Sequence, residues 1–263
     1  MNPHLAIDWV QGVTVAGVDG WLGLIAMALW MLVIEPLYGR KSFQAMLRAL
    51  DAGVVNARRD MYRHWILSSW LSMAAILLLV FFVLGWTPQQ LGLRLPTFNL
   101  HLGSGFVVGM VAAAVGGMLL GMFAASRQKR RGAVAVTPAM NDAVARLLPH
   151  TPTERRHYAL LSVTAGVCEE IVWRGVLLAA LVAIFPQAPT WVLLLPMPLM
   201  FGWAHWYQGW SGVLVTGILG AVFTGLYAVT GSLLIPIILH ALVDLRGLLI
   251  PLPPEVSGSD LTP

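Results

Sequence analysis

The stretch that decides the fold is Trp65–Trp86, WILSSWLSMAAILLLVFFVLGW. It contains no charged side chain, and it reaches the ~20 apolar residues that an α-helix needs to cross the hydrocarbon core of a bilayer. In lipid, a single segment must satisfy its own backbone hydrogen bonds, and a helix does so. Tryptophans stand at both ends, where such rings meet the membrane–water interfaces. The stretch therefore predicts a transmembrane helix.

The composition of the whole chain leads to the same class of protein. The 263 residues include 16 Lys and Arg and 12 Asp and Glu, and 58% of the residues are hydrophobic, with a mean hydropathy of +0.76. Charged residues make up 11%, whereas a soluble domain has about 25%. The single cysteine, Cys168, excludes an intramolecular disulfide and a multi-thiolate metal site. Disorder, a disulfide-stapled secreted domain and an ordinary soluble enzyme are therefore excluded.

Apolar runs of similar length recur along the chain and predict about seven transmembrane helices. Besides the run quoted above, these runs are Val13–Ile34, Leu102–Ala125, His157–Phe185, Thr190–Trp206, Gly212–Val229 and Leu233–Ile250. We expect Pro196 and Pro198 to interrupt the fifth helix, because proline removes a backbone donor. The predicted fold class is all-α, a polytopic integral membrane helix bundle.

Basic side chains orient the predicted bundle. Residues 35–64 contain six Lys and Arg and residues 126–158 contain seven, whereas the segment after the second helix contains only Arg94. Two basic loops on one side indicate a cytoplasmic side. We therefore expect the N-terminus outside and the C-terminus in the cytoplasm, in the inner (plasma) membrane of a bacterium. The stretch Phe43–Arg63 predicts either a helix lying on the membrane surface or a solvated linker. Nucleic acid is not an expected partner, because the positive charge serves this orientation.

Ionisable side chains concentrate in the last four predicted helices. A charge at the bilayer centre costs at least ~2.5–3.5 kcal/mol, so such groups must converge on one another or on a water-filled cavity. They are Glu169, Glu170, Arg174, His205, His240, Asp244 and Arg246. Glu170 and Arg174 share a helix face and predict an ion pair, whereas Glu169 is rotated by about 100° and stays available. The predicted site comprises Glu169, His205, His240 and Asp244, supported by the pair of Glu170 and Arg174.

Two chemistries suit this set of side chains. A carboxylate and a histidine together take a proton from water, while a second histidine with a polar neighbour stabilises a developing oxyanion. Alternatively, the two histidines and one or two of the carboxylates supply enough ligands for Zn²⁺ with an open position. Both routes lead to hydrolysis of an amide or ester, and no cofactor is favoured. The sequence lacks the H-E-x-x-H, G-x-S-x-G and Walker motifs.

Three blocks resemble a known family. Glu169–Arg174 (EEIVWR) fits E-E-x-x-x-R, Phe201–His205 (FGWAH) fits F-x-x-x-H, and His240–Asp244 (HALVD) fits H-x-x-x-N or H-x-x-x-D. In this order they resemble the CPBP family of CAAX proteases and bacteriocin-processing enzymes, also called the Abi family. The type II CAAX prenyl endopeptidases belong to it. Leu91–Arg94 (LGLR) also resembles a stretch common in the family.

The resemblance implies an intramembrane endopeptidase acting on a peptide or membrane protein, prenylated or not. It implies that Glu169 and His205 activate the attacking water, that Glu170 and Arg174 support the geometry, and that His240 and Asp244 form the oxyanion site or, with His205, bind a metal. The eukaryotic prenyl endopeptidases have Asn where Asp244 stands. An ionised Asp cannot donate to an oxyanion, so Asp244 must be protonated, orient His240 or bind a cation.

The chain is predicted to divide into three parts. Residues 1–150 form helices one to three, residues 151–250 form a catalytic core of helices four to seven, and residues 251–263 form a flexible tail. A non-catalytic membrane protein is the alternative to an enzyme. Intramembrane carboxylates and histidines also relay protons in transporters, and a membrane scaffold is the other option of this kind.

Overall fold

The computed structural model describes residues 7–97, 116 and 142–250. Within these ranges the regular elements are helices and no residue lies in a strand, in agreement with the predicted all-α class. The helices are α1 (Gly17–Asp51), α2 (Ala57–Val83), α3 (Asp142–Leu147), α4 (Pro152–Glu170), α5 (Leu177–Ile184), α6 (Thr190–Ala204), α7 (Gly209–Thr230) and α8 (Leu234–Leu245). A π-helical segment, Ile171–Val176, joins α4 to α5, and short 3-10 turns lie at Asp8–Val10, Trp206–Gln208 and Arg246–Leu249.

Membrane-spanning length is reached by three of the described helices. By length and composition, Gly17–Asp51, Ala57–Val83 and Trp206–Thr230 could each cross a bilayer. Many large apolar side chains of these helices point outward, as expected where lipid replaces water. The predicted third span, Leu102–Ala125, lies outside the described residues apart from Gly116, which is helical. The predicted tail, residues 251–263, also lies outside them. The count of about seven spans stays a prediction.

The predicted bounds of the first cytoplasmic loop are wrong. The sequence predicts a loop over residues 35–64, but α1 continues to Asp51 and α2 begins at Ala57, so only residues 52–56 form the turn. Of the two alternatives for Phe43–Arg63, the solvated linker is wrong, because the stretch is helical except at residues 52–56, whereas a helix on the membrane surface stays a prediction. Phe43 on α1 and Tyr62 on α2 are buried in one cluster, so this stretch is a helical hairpin packed against protein.

A proline lies inside α1 without ending the helix. Pro36 has no N–H, and its ring crowds the carbonyl of the residue four positions earlier. The preceding segment, Trp30–Ile34, is π-helical, a widening of the kind that accommodates such a defect. The carbonyl of Leu32, four positions before Pro36, accepts a hydrogen bond of 3.0 Å from the indole of Trp203. This bond fastens α1 to α6 close to His205.

The two basic stretches meet at one end of the bundle. Arg146 on α3 forms an ion pair with Asp51 at the end of α1. The buried guanidinium of Arg58 at the start of α2 lies 3.8 Å from the carboxylate of Glu154 on α4. Glu154 also forms a capping box with Thr151, so α4 begins at a defined residue. These contacts tie the α1–α2 hairpin to the first turn of α4.

The glycines of α4 and of the LGLR stretch permit close contacts. A Cβ on Gly166 of α4 would come within 2.9 Å of the backbone nitrogen of Ala241, so α8 crosses α4 at this point. Gly92 has a φ of +76°, and its carbonyl accepts a 2.9 Å hydrogen bond from Leu233 in the α7–α8 turn. The start of α8 is thereby held in position, with His240 along the same helix.

Candidate active site

The four predicted site residues lie together in the structure. Glu169 Oε2 on α4 lies 3.8 Å from His205 Nε2, just after α6, and 3.9 Å from His240 Nε2 on α8. His240 Nε2 lies 3.7 Å from Asp244 Oδ2, one turn further along α8. These separations exceed a direct hydrogen bond. They are within the span that one bridging water covers.

Glu170 lies about 100° around α4 from Glu169 and has two charged or polar neighbours. Its Oε1 lies 2.9 Å from Arg174 Nη1 and 2.7 Å from His240 Nδ1. Both Glu170 and Arg174 are fully buried. A buried carboxylate needs such partners, because burial of an isolated charge is very costly. The π-helical segment begins directly after Glu170, and π-helical widenings are frequent at functional sites.

Hydrogen bonds at the Nδ1 atoms fix the orientation of both imidazole rings. His205 Nδ1 lies 2.8 Å from the carbonyl oxygen of Phe201, one turn earlier in α6. A carbonyl only accepts, so His205 Nδ1 carries the proton and the Nε2 of the neutral ring presents a lone pair towards Glu169. His240 Nδ1 is placed in the same way to donate to the carboxylate of Glu170. Each ring therefore turns its Nε2 towards Glu169.

Two phenylalanine rings pack between the charged groups. The guanidinium carbon of Arg174 lies 4.0 Å from the ring centroid of Phe201, a cation–π distance. The ring of His240 stacks on Phe223 of α7, with centroids 5.3 Å apart. Phe223 cannot be recognised as a neighbour of the site from the sequence, because phenylalanine is common in apolar helices. The rings keep lipid and water away from the ion pair.

A cavity of about 320 Å³ opens on the Glu169 side of the cluster, between α1, α2, α4 and α6. Glu169 and His205 line it, whereas His240 and Asp244 do not. Sequence reasoning missed the residues that α1 and α2 add to its wall: Trp30, Glu35, Tyr38, Gly39, Trp65, Ser68, Ser69, Leu71, Ser72, Met73 and Ile76. Glu35 cannot be assigned to the site from the sequence, because it lies at the start of a predicted loop. The helical course of α1 brings it to the cavity.

No group of three or more His, Cys, Asp and Glu in the described ranges could hold a metal ion. This includes the predicted ligand set of His205, His240 and Asp244. Zinc dependence stays a prediction, which chelation tests.

A comparison with known families agrees with the three blocks. Residues 154–246, about a third of the chain, match the family model described as type II CAAX prenyl endopeptidase Rce1-like. We call residues 154–246 the Rce1-like segment, after the family that they are similar to. The match confirms the predicted family resemblance and supports, in general terms, a membrane-bound CAAX-type protease, a peptide hydrolase acting on peptide or protein substrates. Neither the curated proteins nor the solved structures include a match to this chain.

Proposed function

We propose that the protein is an intramembrane endopeptidase in which Glu169 and His205 activate the attacking water. The observation that carries this proposal is the environment of Glu169 Oε2. This oxygen is buried, has no hydrogen-bond partner among the described residues, and lies under 4 Å from the Nε2 atoms of His205 and His240. A buried carboxylate oxygen without a partner is costly, and a water molecule bridging to the imidazoles supplies what it lacks.

In the proposed reaction, the water oxygen forms a bond to the carbonyl carbon of the scissile peptide. Glu169 accepts one proton from this water, and the Nε2 lone pair of His205 helps to orient it. The tetrahedral intermediate then loses its C–N bond as the proton held by Glu169 passes to the leaving nitrogen. One water is consumed, and a new carboxyl terminus and a new amino terminus are produced.

His240 is proposed to stabilise the oxyanion of this intermediate. Its Nδ1 is bound to Glu170, so only Nε2 is available to the substrate. When the ring is protonated, the carboxylate of Glu170 balances the positive charge and Nε2–H becomes a donor to the oxyanion. Asp244 Oδ2, 3.7 Å from this nitrogen, orients the ring from the other side.

The test is a comparison of protein termini in membranes that contain the wild-type protein or Glu169→Gln. We expect new amino termini with the wild type that are absent with the variant, because an amide cannot accept the proton. Asp60→Asn is the matched control, since Asp60 is an exposed carboxylate on α2 that does not line the cavity. Identical termini for wild type and Glu169→Gln would contradict the proposal.

Metal dependence is tested on the same protein. The glutamate mechanism predicts full cleavage of a substrate identified from the new termini after exhaustive treatment with EDTA and 1,10-phenanthroline. Loss of cleavage that Zn²⁺ alone restores would replace this mechanism by a metal-dependent one.

The protein is proposed to lie in a bacterial inner membrane as a multi-pass protein, with the N-terminus outside. What supports the orientation is that Arg58, Arg146 and their neighbours lie at the same end of the bundle. A reporter that works only in the cytoplasm should be active when it is fused to the C-terminus. Activity of a periplasm-specific reporter at the C-terminus would show that the orientation is the reverse of the proposed one.

A further inference from the structure

A second carboxylate faces the cavity of the proposed active site. Glu35 belongs to α1, outside the Rce1-like segment, and lines the same cavity as Glu169. It is half-buried, and no hydrogen bond or ion pair of its carboxylate is found within the described ranges. The mechanism proposed above does not use it. An ionisable side chain inside a membrane helix is a functional candidate by default.

The cavity wall has two carboxyl groups and no Lys or Arg among its described lining residues. The carboxyl groups are those of Glu35 and Glu169. Because repulsion between like charges is strong where the dielectric constant is low, a cation entering the cavity is favoured by both carboxylates.

The rest of the wall also suits a cation on an apolar stem. Five aromatic rings line the cavity, those of Trp30, Tyr38, Trp65, Trp173 and Tyr207. Indole and phenol rings attract ammonium and guanidinium groups through their negative faces. Met73 and Ile76 add apolar surface, against which the methylene stem of Lys or Arg packs well.

We infer that the cavity binds a Lys or Arg side chain of the peptide substrate, next to the scissile bond, with Glu35 as its counter-ion. This inference rests on the proposed peptidase function and names the class of substrate. A free carboxyl terminus at the same place would meet two carboxylates and no Lys or Arg of the described wall. Substrates with an internal basic residue are therefore preferred over those ending close to the scissile bond.

The first test uses peptide pairs that differ only in lysine or norleucine beside the cleaved bond. For the wild type we expect kcat/KM to be at least about tenfold higher with lysine, because the ammonium gains Glu35 in a low-dielectric cavity. Glu35→Gln should bring the lysine-to-norleucine ratio close to one, and Glu35→Arg should invert it in favour of a glutamate peptide. A ratio that is the same in wild type and Glu35→Gln overturns the inference.

The second test separates this inference from the proposed function. N-acetyl-lysine amide and N-acetyl-norleucine amide are titrated into the protein in lipid nanodiscs, without any cleavage. We expect tighter binding of the lysine probe by the wild type and by Asp19→Asn, a control on the same helix with an exposed carboxylate, and loss of this preference in Glu35→Gln. Equal binding of both probes by the wild type overturns the inference. If no peptide is cleaved but the lysine preference holds, the peptidase proposal fails and cation recognition stands.

Discussion

Two consecutive glutamates at the end of α4 have opposite surroundings. Glu170 is fully buried and bound to Arg174 and His240. Each glutamate has one buried carboxylate oxygen without a hydrogen-bond partner among the described residues, but Glu169 retains 24% of its side-chain surface and faces the cavity. One residue of rotation along a helix turns the side chain by about 100°. In the proposed mechanism the two carboxylates therefore have different roles: Glu170 stabilises a charge network, and Glu169 accepts the proton of the attacking water.

The largest effect on the cleavage rate should come from replacing His205, whose Nε2 lies 3.8 Å from Glu169 Oε2. Replacing His205 by Ala removes the Nε2 that faces Glu169, and we expect kcat to fall by about 10²–10⁴-fold, the usual contribution of a positioned proton-transfer group. The unfolding temperature should change little, because among the described residues His205 makes one hydrogen bond, to the carbonyl of Phe201. Cleavage assays in nanodiscs measure kcat. His157→Ala, at a half-buried histidine near the start of α4, is the control, and equal kcat values for both variants would contradict the assignment.

For Glu170, the effect of a substitution should appear in the stability of the protein. Glu170→Gln leaves Arg174 buried without its counter-charge, which costs about 3–5 kcal/mol for a buried pair broken on one side. We expect a lower unfolding temperature together with a lower rate, because His240 loses its anchor. Thermal unfolding in nanodiscs measures the first. A variant as stable as the wild type would show that the buried pair does not support the site.

A smaller effect should follow at the LGLR stretch. Gly92→Ala combines an unfavourable positive φ with a clash between the new methyl group and the ring of Tyr227, so we expect a loss of about 2–4 kcal/mol. Gly85→Ala is the matched control: its φ is +68°, but nothing lies within 4 Å of the added Cβ. Its loss should be only about 1–2 kcal/mol. Equal losses in denaturant unfolding would mean that contact with Tyr227 contributes nothing.

The smallest effect concerns the joint between α1 and α6. Trp203→Phe keeps an aromatic ring but removes the hydrogen bond to Leu32, which should cost about 0.5–1.5 kcal/mol. Trp191→Phe, at an exposed ring on α6, should cost less. If the two variants unfold at the same temperature, the hydrogen bond from Trp203 to the carbonyl of Leu32 adds no stability.

The same contrast explains what the sequence could predict. Ionisable residues are rare in apolar helices, so Glu169, His205, His240 and Asp244 can be named as candidate site residues from the sequence alone. The ion pair of Glu170 and Arg174 followed from their spacing. The wall of the cavity could not be predicted, because aromatic, serine and methionine side chains are ordinary in membrane helices. The basic residues between the first two apolar runs indicate a loop over residues 35–64, whereas packing of Phe43 and Tyr62 keeps α1 and α2 helical. Glu35 lies at the start of this predicted loop, and for that reason it is absent from the predicted site.

The most direct test of the central claim is the rate of peptide cleavage by purified Glu169→Gln and wild-type protein at equal folded concentration. The substrate is a peptide that the wild type cleaves. We predict that the variant unfolds at the wild-type temperature and cleaves at least about 10³-fold more slowly, because its amide cannot accept the proton of the attacking water. Cleavage by the folded variant within tenfold of the wild-type rate would contradict the assignment of Glu169 as the proton acceptor.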